Sequence, residues 1–348
     1  MRSGFFKQAY GELIVLTDSP AVKGWTAALM LALVAAPFVL GNFMLSHLTV
    51  ILFTVVGALG LMVLTGFTGL ISLGHVGFLM LGGYVYAVGV ARWGVPPELA
   101  LVLSAVLPAL FGLIVGIPSL RLHGLYLAIT TLAFVHIVDA AILGGGELTG
   151  GGSGLMVERP VILGMDLSSD RAFYWFCLGA CTLAVLAVLN LRRSYVGRAL
   201  VAIRDNDIAA RTMGISLVRY KLLAFLFSAA LTGLAGALMA IYMSFVSVES
   251  YPFLLSIEAL AIIIVGGIGS VLGAVLGAVF IVTLPEVFSS LMSFLGGRLA
   301  DAMTTSAHEM KTILYGIAIV AFLRFDPRGL RGMWHDLRHT WVHWPLRY

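Results

Sequence analysis

Residues 192–221 read RRSYVGRALVAIRDNDIAARTMGISLVRYK, and they form the one long, strongly charged segment between hydrophobic runs. The segment carries seven Lys and Arg residues against two Asp residues. Basic loops stay on the cytoplasmic side of a membrane. The position of this segment therefore predicts the side on which each of the other loops lies. Within it, residues 205–207 favour a helix start and Gly214 favours a helix end, which predicts one short helix over 205–213.

The composition places the chain among membrane proteins. Of 348 residues, 60% are hydrophobic and 11% are charged, and the mean hydropathy is +1.02. These values leave no room for a soluble domain of any size. Cys177 and Cys181 lie in an apolar run, where they behave as small hydrophobic residues. Basic and aromatic residues are not interleaved as on a nucleic-acid surface, so nucleic acid is excluded as a partner.

Apolar runs divide the chain into membrane-spanning segments. Runs of the length that crosses a bilayer, about 17 to 25 residues, lie at 24–43, 48–64, 70–91, 99–117, 125–143, 172–191 and 222–245. Three later runs are each short, at 254–265, 271–284 and 313–323. Glycines at 266, 267 and 269 separate the first two of these, so we expect short or broken helices there.

Loop charges test the number of spans. With 192–221 inside, loop 144–171 lies outside, and it carries four acidic residues against two arginines. Continuing in both directions places Arg121 and His123 inside, with the N-terminal segment 1–23 and the Arg-rich tail 324–348. The sequence therefore predicts an all-α integral membrane protein with about ten transmembrane helices and cytoplasmic termini. We expect the polytopic domain to cover 24–323, and the tail, with Trp334, Trp341 and Trp344, to lie on lipid headgroups.

Ionisable side chains within the spans are the candidates for a polar path, since they are costly in hydrocarbon. These side chains are His75, His136, Asp139 and Glu258. His136 and Asp139 are three residues apart and can pair on one helix face, which is also a purely structural arrangement. Ser72 and several glycines surround His75, and close helix packing explains those glycines equally well. Glu258 suits the first turn of a helix without any ligand.

Enzyme motifs are absent from the sequence. No lysine follows a glycine, so the chain has no phosphate-binding loop with which to hydrolyse ATP. No zinc-protease or nucleophile-elbow motif occurs, and no Cys/His spacing suits a metal. We therefore expect no catalytic residues, no metal and no cofactor in this chain.

Several longer motifs together resemble the LivM-type permeases of branched-chain amino acid ABC transporters. They begin with GFTGLISLGHVGF, and they lie at 66–78, 118–134, 148–155, 196–225, 246–278 and 326–332. The resemblance implies half of an importer in the bacterial inner membrane. The remaining partners would be a second homologous permease, two ATPase subunits that bind ATP, and a periplasmic substrate-binding protein.

The resemblance also assigns a role to the charged segment, because A-A-x-x-x-G is the spacing through which such permeases contact their ATPase. The residues expected to couple to the ATPase are Arg204, Asp205, Asp207, Ala209, Ala210, Arg211 and Gly214. In this chain Ile208 stands where the family often places a carboxylate, and His136 stands where relatives often carry Glu or Gln.

The translocation path is predicted near the middle of the bilayer, where interrupted helices expose backbone dipoles. Its expected residues are Ser72, His75, Thr130, Thr131, His136, Asp139, Glu258, Gly266 and Gly267. Two functions stay open beside amino-acid import. A urea or short-amide permease would have the same architecture, and an ion-coupled secondary transporter would use the ionisable residues as a proton or ion path. A membrane enzyme is a more distant alternative.

Overall fold

The computed structural model describes residues 20–120, 122, 124–162, 164–295, 307–326, 328–334 and 336. The predictions for residues 1–19, Arg121, His123 and 337–348, with Trp341 and Trp344, lie outside the described residues. The helices are α1 (Pro20–Val39), α2 (Asn42–Leu61), α3 (His75–Ala91), α4 (Pro97–Ser119), α5 (Leu125–Gly144), α6 (Asp170–Arg193), α7 (Tyr195–Asp205), α8 (Asp207–Thr212), α9 (Leu217–Met243), α10 (Leu254–Gly266), α11 (Val271–Leu295) and α12 (Ala307–Phe325).

The expected membrane architecture is confirmed in its main features. Within the described residues, seven helical segments are long and apolar enough to cross a bilayer, and three shorter apolar helices accompany them. The short ones are Gly24–Val39, His75–Ala91 and Thr312–Phe325. The protein is therefore a mostly helical, multi-pass membrane protein.

Helix α9 is the centre of the bundle, and it packs against α4, α3 and α2. Small residues let the backbones approach closely. A Cβ atom at Gly233 would collide with the Ser104 carbonyl oxygen, and one at Gly236 would collide with that of Leu79. At Gly112 a Cβ atom would lie 2.7 Å from the Ala229 side chain. Since lipid tails are as apolar as the helices, such close contact is a main source of attraction between them.

The chain is interrupted after α2. Residues Met62–Gly66 form a π-helix that extends α2, and residues 69–74 are irregular until α3 begins at His75. We call residues 69–74 the first break. The expected continuous span over 70–91 is thus wrong in its first five residues. His75 Nε2 lies 3.4 Å from the position of a Cβ atom on Gly57, which is about 14 Å along the helix from Gly66. Helix α3 therefore starts inside the bundle.

A second break separates α10 from α11 at residues 267–270. Gly267 and Gly269 have φ angles of +108° and +81°, in the left-handed region that favours glycine. A broken pair was expected here, but the second member is not short. Helix α11 has 25 residues and continues through Pro285, because the apolar sequence continues beyond that proline. Transmembrane helices tolerate proline where neighbouring groups satisfy the freed carbonyl.

Short strands cover one end of the bundle, which the all-α expectation did not include. Strand β1 (Leu155–Met156) pairs antiparallel with β4 (Phe245–Val246), and β2 (Val161–Ile162) pairs with β3 (Met165–Asp166). Arg159 forms a 2.7 Å ion pair with Asp170 at the start of α6. The Ser168 N–H donates to the Asp166 carboxylate, which lowers the pKa of that carboxyl. The long loop between α5 and α6 is thus a folded cap.

Candidate functional site

The first break is held by side chains from distant helices. The Leu73 N–H donates to Thr131 Oγ1 of α5 at 3.0 Å, and the Val76 N–H donates to Ser256 Oγ of α10 at 3.0 Å. The Gly74 N–H donates to Ser72 Oγ at 3.2 Å. An unpaired backbone donor inside a membrane costs several kcal/mol, so these hydroxyls make the interruption possible.

A cavity of about 500 Å³, which we call the outer cavity, opens between α2, α9, α10, α11 and α12. It extends from Phe43 and His47 in the first turns of α2 to Gly57 and His75 at the start of α3. Most of its wall is apolar, and its polar members are Ser46, His47, Thr54, His75, Tyr242, Glu258, Glu286 and Tyr315. Apolar walls with a few placed polar groups are typical of small-molecule sites.

The inner end of this cavity carries a histidine and a carboxylate. His75 is buried, and its Nδ1 lies 3.4 Å from Thr232 Oγ1 of α9. Glu258 of α10 accepts a hydrogen bond from the Tyr315 hydroxyl of α12. Both residues were expected in the path, and both line the cavity. A carboxylate in a mostly apolar cavity wall suits the ammonium group of a ligand.

Other residues expected in the path do not line this cavity. Ser72 and Thr131 are buried in the first break, where their hydroxyls hold backbone groups. Thr130 donates to the Tyr126 carbonyl of its own helix. His136 and Asp139 pair as expected, with 3.5 Å between Nδ1 and Oδ2, but His136 is exposed on α5 and the pair does not line the cavity.

The glycines of the second break lie at the inner end of α10. Gly267 lines a separate cavity, and Gly266 packs against the backbone of Gly273 in α11. Sequence reasoning missed His47, Thr54 and Tyr315 in the cavity wall. For His47 the signal was present, because it is an ionisable residue at the edge of a span.

The charged segment contains two helices where one was expected. Ser194 caps α7 by accepting the Gly197 N–H at 3.2 Å. Asn206 has an extended backbone, which ends α7, and its side chain accepts the Ala209 N–H at 3.0 Å, which starts α8. Helix α8 therefore begins at Asp207, two residues later than expected, and the left-handed Gly214 follows its end as expected.

Helix α8 has one packed face and one exposed face. Ala210 is buried against Ile203 of α7 and Leu217 of α9. Ala209 and Arg211 are exposed, as are the large side chains of Ile208 and Met213. Asp205 is exposed and Asp207 is half-buried. An apolar exposed face beside a fixed turn is typical of a surface that docks a partner.

Arg204 links this hairpin to the membrane bundle. Its Nη1 donates to the Gly66 carbonyl at the end of the π-helix, at 2.7 Å. The same nitrogen lies 2.7 Å from the position of a Cβ atom on Gly269, in the second break. The Arg204 guanidinium thus contacts the end of the π-helix before the first break and also the second break. The positions of α7 and of the two breaks therefore depend on each other.

The sequence that forms this broken bundle and its capped hairpin matches a known family. Residues 43–323 match the family described as branched-chain amino acid transport system / permease component. The chain belongs to this family. No solved structure matches it.

Individual relatives of this permease agree with the family match. It is 36% identical over 346 residues to the high-affinity branched-chain amino acid transport system permease protein LivM of Salmonella typhimurium, covering 90% of this chain and 77% of the relative. The LivM protein of Escherichia coli is 35% identical with the same coverage. The autoinducer 2 import system permease protein LsrC of an Enterobacter species is 29% identical over 65% of this chain and 71% of its own.

Proposed function

We propose that this permease is the membrane-spanning subunit of an ABC importer for branched-chain amino acids in the bacterial inner membrane. It has about ten transmembrane helices with both termini in the cytoplasm. The shared length with the LivM relatives, the seven long spans and the three shorter apolar helices support this topology. The four acidic residues in the cap between α5 and α6 fit a periplasmic position.

In this proposal the chain forms half of the pathway and a second homologous permease forms the other half. A periplasmic binding protein delivers substrate, and two ATPase subunits bind ATP. The permease itself holds no cofactor and catalyses no reaction. The sequence supports this division of work, because it contains no phosphate-binding loop.

The observation that carries the proposal is the exposed apolar face of α8. Ile208, Ala209 and Met213 are exposed on α8 or at its end. The start of α8 is capped, and its inner face is packed. Such a rigid element can transmit force from a docked subunit. Of the two alanines expected at the contact, Ala209 is accessible, whereas Ala210 holds the hairpin together.

Replacement of Met213 by Asp tests the docking face. Met213 is 82% exposed, so Met213→Asp leaves the fold intact and places a charge on the apolar contact. We expect loss of ATPase copurification and loss of leucine uptake with normal amounts of permease in the membrane. Met156→Asp is the matched control, since Met156 is 81% exposed in β1 at the opposite end of the bundle. It should copurify with the ATPase as the unaltered chain does.

Two results would contradict the proposal. Copurification and uptake that survive Met213→Asp would remove the docking role of α8. Concentrative uptake by the reconstituted chain alone, driven by a proton gradient, would favour an ion-coupled transporter.

The substrate is tested separately by competition. The apolar wall of the outer cavity suits an aliphatic side chain, and Glu258 suits an ammonium group. We expect excess leucine, isoleucine or valine to block uptake of labelled leucine, and urea or acetamide to leave it unchanged. Competition by urea instead would assign the permease to short amides.

A further inference from the structure

A second cavity, of about 660 Å³, lies at the inner ends of α2 and α10. It shares no lining residue with the outer cavity. Its wall consists of Thr65, Gly69, Ile71, Arg204, Gly267, Ile268, Arg328, Arg331 and Gly332. The arginines come from α7 and from the segment after α12, whereas the other residues belong to the two breaks and their edges. We call it the arginine pocket.

The wall of the arginine pocket is basic. Three guanidinium groups line it, and no carboxylate does. Arg328 is neutralised by Asp326 at 3.6 Å and by Asp336 at 2.5 Å. Arg331 forms no ion pair with any residue that the structure describes, and it lies close enough to Arg192 for the two charges to repel. An anion in the pocket would relieve that repulsion.

Helix capping accounts for only one of these arginines. Arg204 donates to the Gly66 carbonyl, where the negative end of the helix dipole favours a cation. That bond uses one of the five N–H donors of the guanidinium. Arg331 makes no such bond to a carbonyl among the described residues, so capping does not explain its position. Guanidinium groups are suited to phosphate oxygens because their donors match two oxygens at once.

Exposed apolar side chains form part of the same wall. Ile71 is 48% exposed and Ile268 is 43% exposed, and both lie beside the arginines. A free phosphate ion has no use for these surfaces, whereas a phospholipid presents a phosphate and hydrocarbon together. Basic pockets between helices on the cytoplasmic side are known to take anionic headgroups.

We propose that the arginine pocket binds the phosphate of an anionic phospholipid from the inner leaflet, with Arg331 and Arg204 as the principal ligands. The proposal uses the cytoplasmic orientation given above for residues 192–221. A bound lipid would join α7, both breaks and the segment after α12 through a single headgroup. Its occupancy would therefore stiffen the cytoplasmic end of the bundle.

The test measures lipid retention by the purified full chain in nanodiscs of phosphatidylcholine with a minor fraction of phosphatidylglycerol. Native mass spectrometry after extraction reports which lipids remain bound. We expect one phosphatidylglycerol to be retained preferentially, and Arg331→Gln to weaken that retention about fivefold, the effect of one basic residue at a membrane surface. Arg331→Lys should be intermediate, since it keeps the charge and loses the planar fork.

Arg198→Gln is the matched control, because Arg198 is an exposed residue of α7 that does not line the pocket. It should retain phosphatidylglycerol as the unaltered chain does. Thermal unfolding of each variant checks the fold. The readout requires neither ATPase nor transport, so its failure is distinct from failure of the importer assignment.

Three outcomes would overturn the proposal. Equal retention in Arg331→Gln and the unaltered chain would leave the arginines as structural groups only. Equal loss in Arg331→Gln and Arg198→Gln would indicate a general surface charge effect. Displacement of the lipid by millimolar inorganic phosphate would assign the pocket to a soluble anion.

Discussion

Both breaks interrupt a membrane helix and leave backbone groups without helical partners, but different contacts hold them. The first break, residues 69–74, lies within the bundle, and hydroxyl groups of Thr131 and Ser256, which are far away in sequence, hold it and the start of α3. The second break, residues 267–270, lies at the inner end of α10 and depends on left-handed glycines. The segment after α12 packs onto it, since a Cβ atom on Gly329 would lie 2.6 Å from the Gly267 nitrogen.

We therefore expect the first break to be a fixed element and the second break to be an adjustable one. Hydrogen bonds from α5 and α10 hold the first break, which positions His75 at the inner end of the outer cavity. The second break contacts Arg204 of α7, so its geometry follows the position of that helix. We infer that the first break shapes the cavity, whereas the second follows the position of α7, the helix that precedes the proposed ATPase contact.

The largest effect is expected where the first break is tied to α5. Thr131→Val removes the acceptor of the Leu73 N–H and leaves that buried donor unpaired, which costs about 1 to 3 kcal/mol. We expect a lower unfolding temperature and less folded protein in the membrane. Thr182→Val is the matched control, since the Thr182 hydroxyl only donates to the Leu178 carbonyl of its own helix. If the two variants melt together, Thr131 does not hold the break.

A smaller effect on stability is expected in the second break. Gly269→Ala places a side chain at a φ angle of +81°, at a cost of about 1 to 2 kcal/mol. Its Cβ atom would also displace the Arg204 guanidinium. Gly94→Ala separates the two effects, because Gly94 has a φ angle of +61° and open space around it. We expect similar stability losses, but reduced ATPase-driven leucine uptake in Gly269→Ala alone. Equal uptake in both would contradict the coupling through Arg204.

The smallest effect is expected when the two breaks are compared by the accessibility of single cysteines to a thiol reagent. With the buried Cys177 and Cys181 replaced by Ala, Ile268→Cys should react with a water-soluble maleimide, and Ser72→Cys should not. Adding ATPase subunits and nucleotide should change the rate at 268 and leave 72 unreactive. Rapid labelling at 72 would mean that the first break is open to water and is not a fixed element.

Much of the architecture follows from local sequence. The apolar runs predict where the helices lie, and the Gly266 to Ser270 stretch predicts the second break, because three glycines within four residues favour a turn. The hairpin of α7 and α8 is partly predictable from the sequence too. Ser194 and Asn206 are both cap residues, and apolar residues at 199, 200 and 203 mark the packed face of α7. Reading both caps would have predicted two helices instead of one.

The first break is harder to place in this way, because its glycines also suit close helix packing. Residues 70–74 continue an apolar run, and the groups that satisfy their backbone are 58 residues away in Thr131 and, for Val76, 180 residues away in Ser256. The same limit applies to Tyr315, which enters the cavity only because α12 packs on α10 and α11. Tertiary contacts decide these features.

Helix α9 connects the hairpin of α7 and α8 to the outer cavity. Leu217 in its first turn belongs to the cluster that seats Ala210, and Met239 and Tyr242 near its other end line the outer cavity. A helix of 27 residues is about 40 Å long. A tilt of about 5° about one end therefore displaces the other by about 3.5 Å, close to the diameter of a methyl group. A small tilt of α9 about Leu217 therefore shifts Met239 and Tyr242 in the cavity wall while Leu217 stays in its cluster.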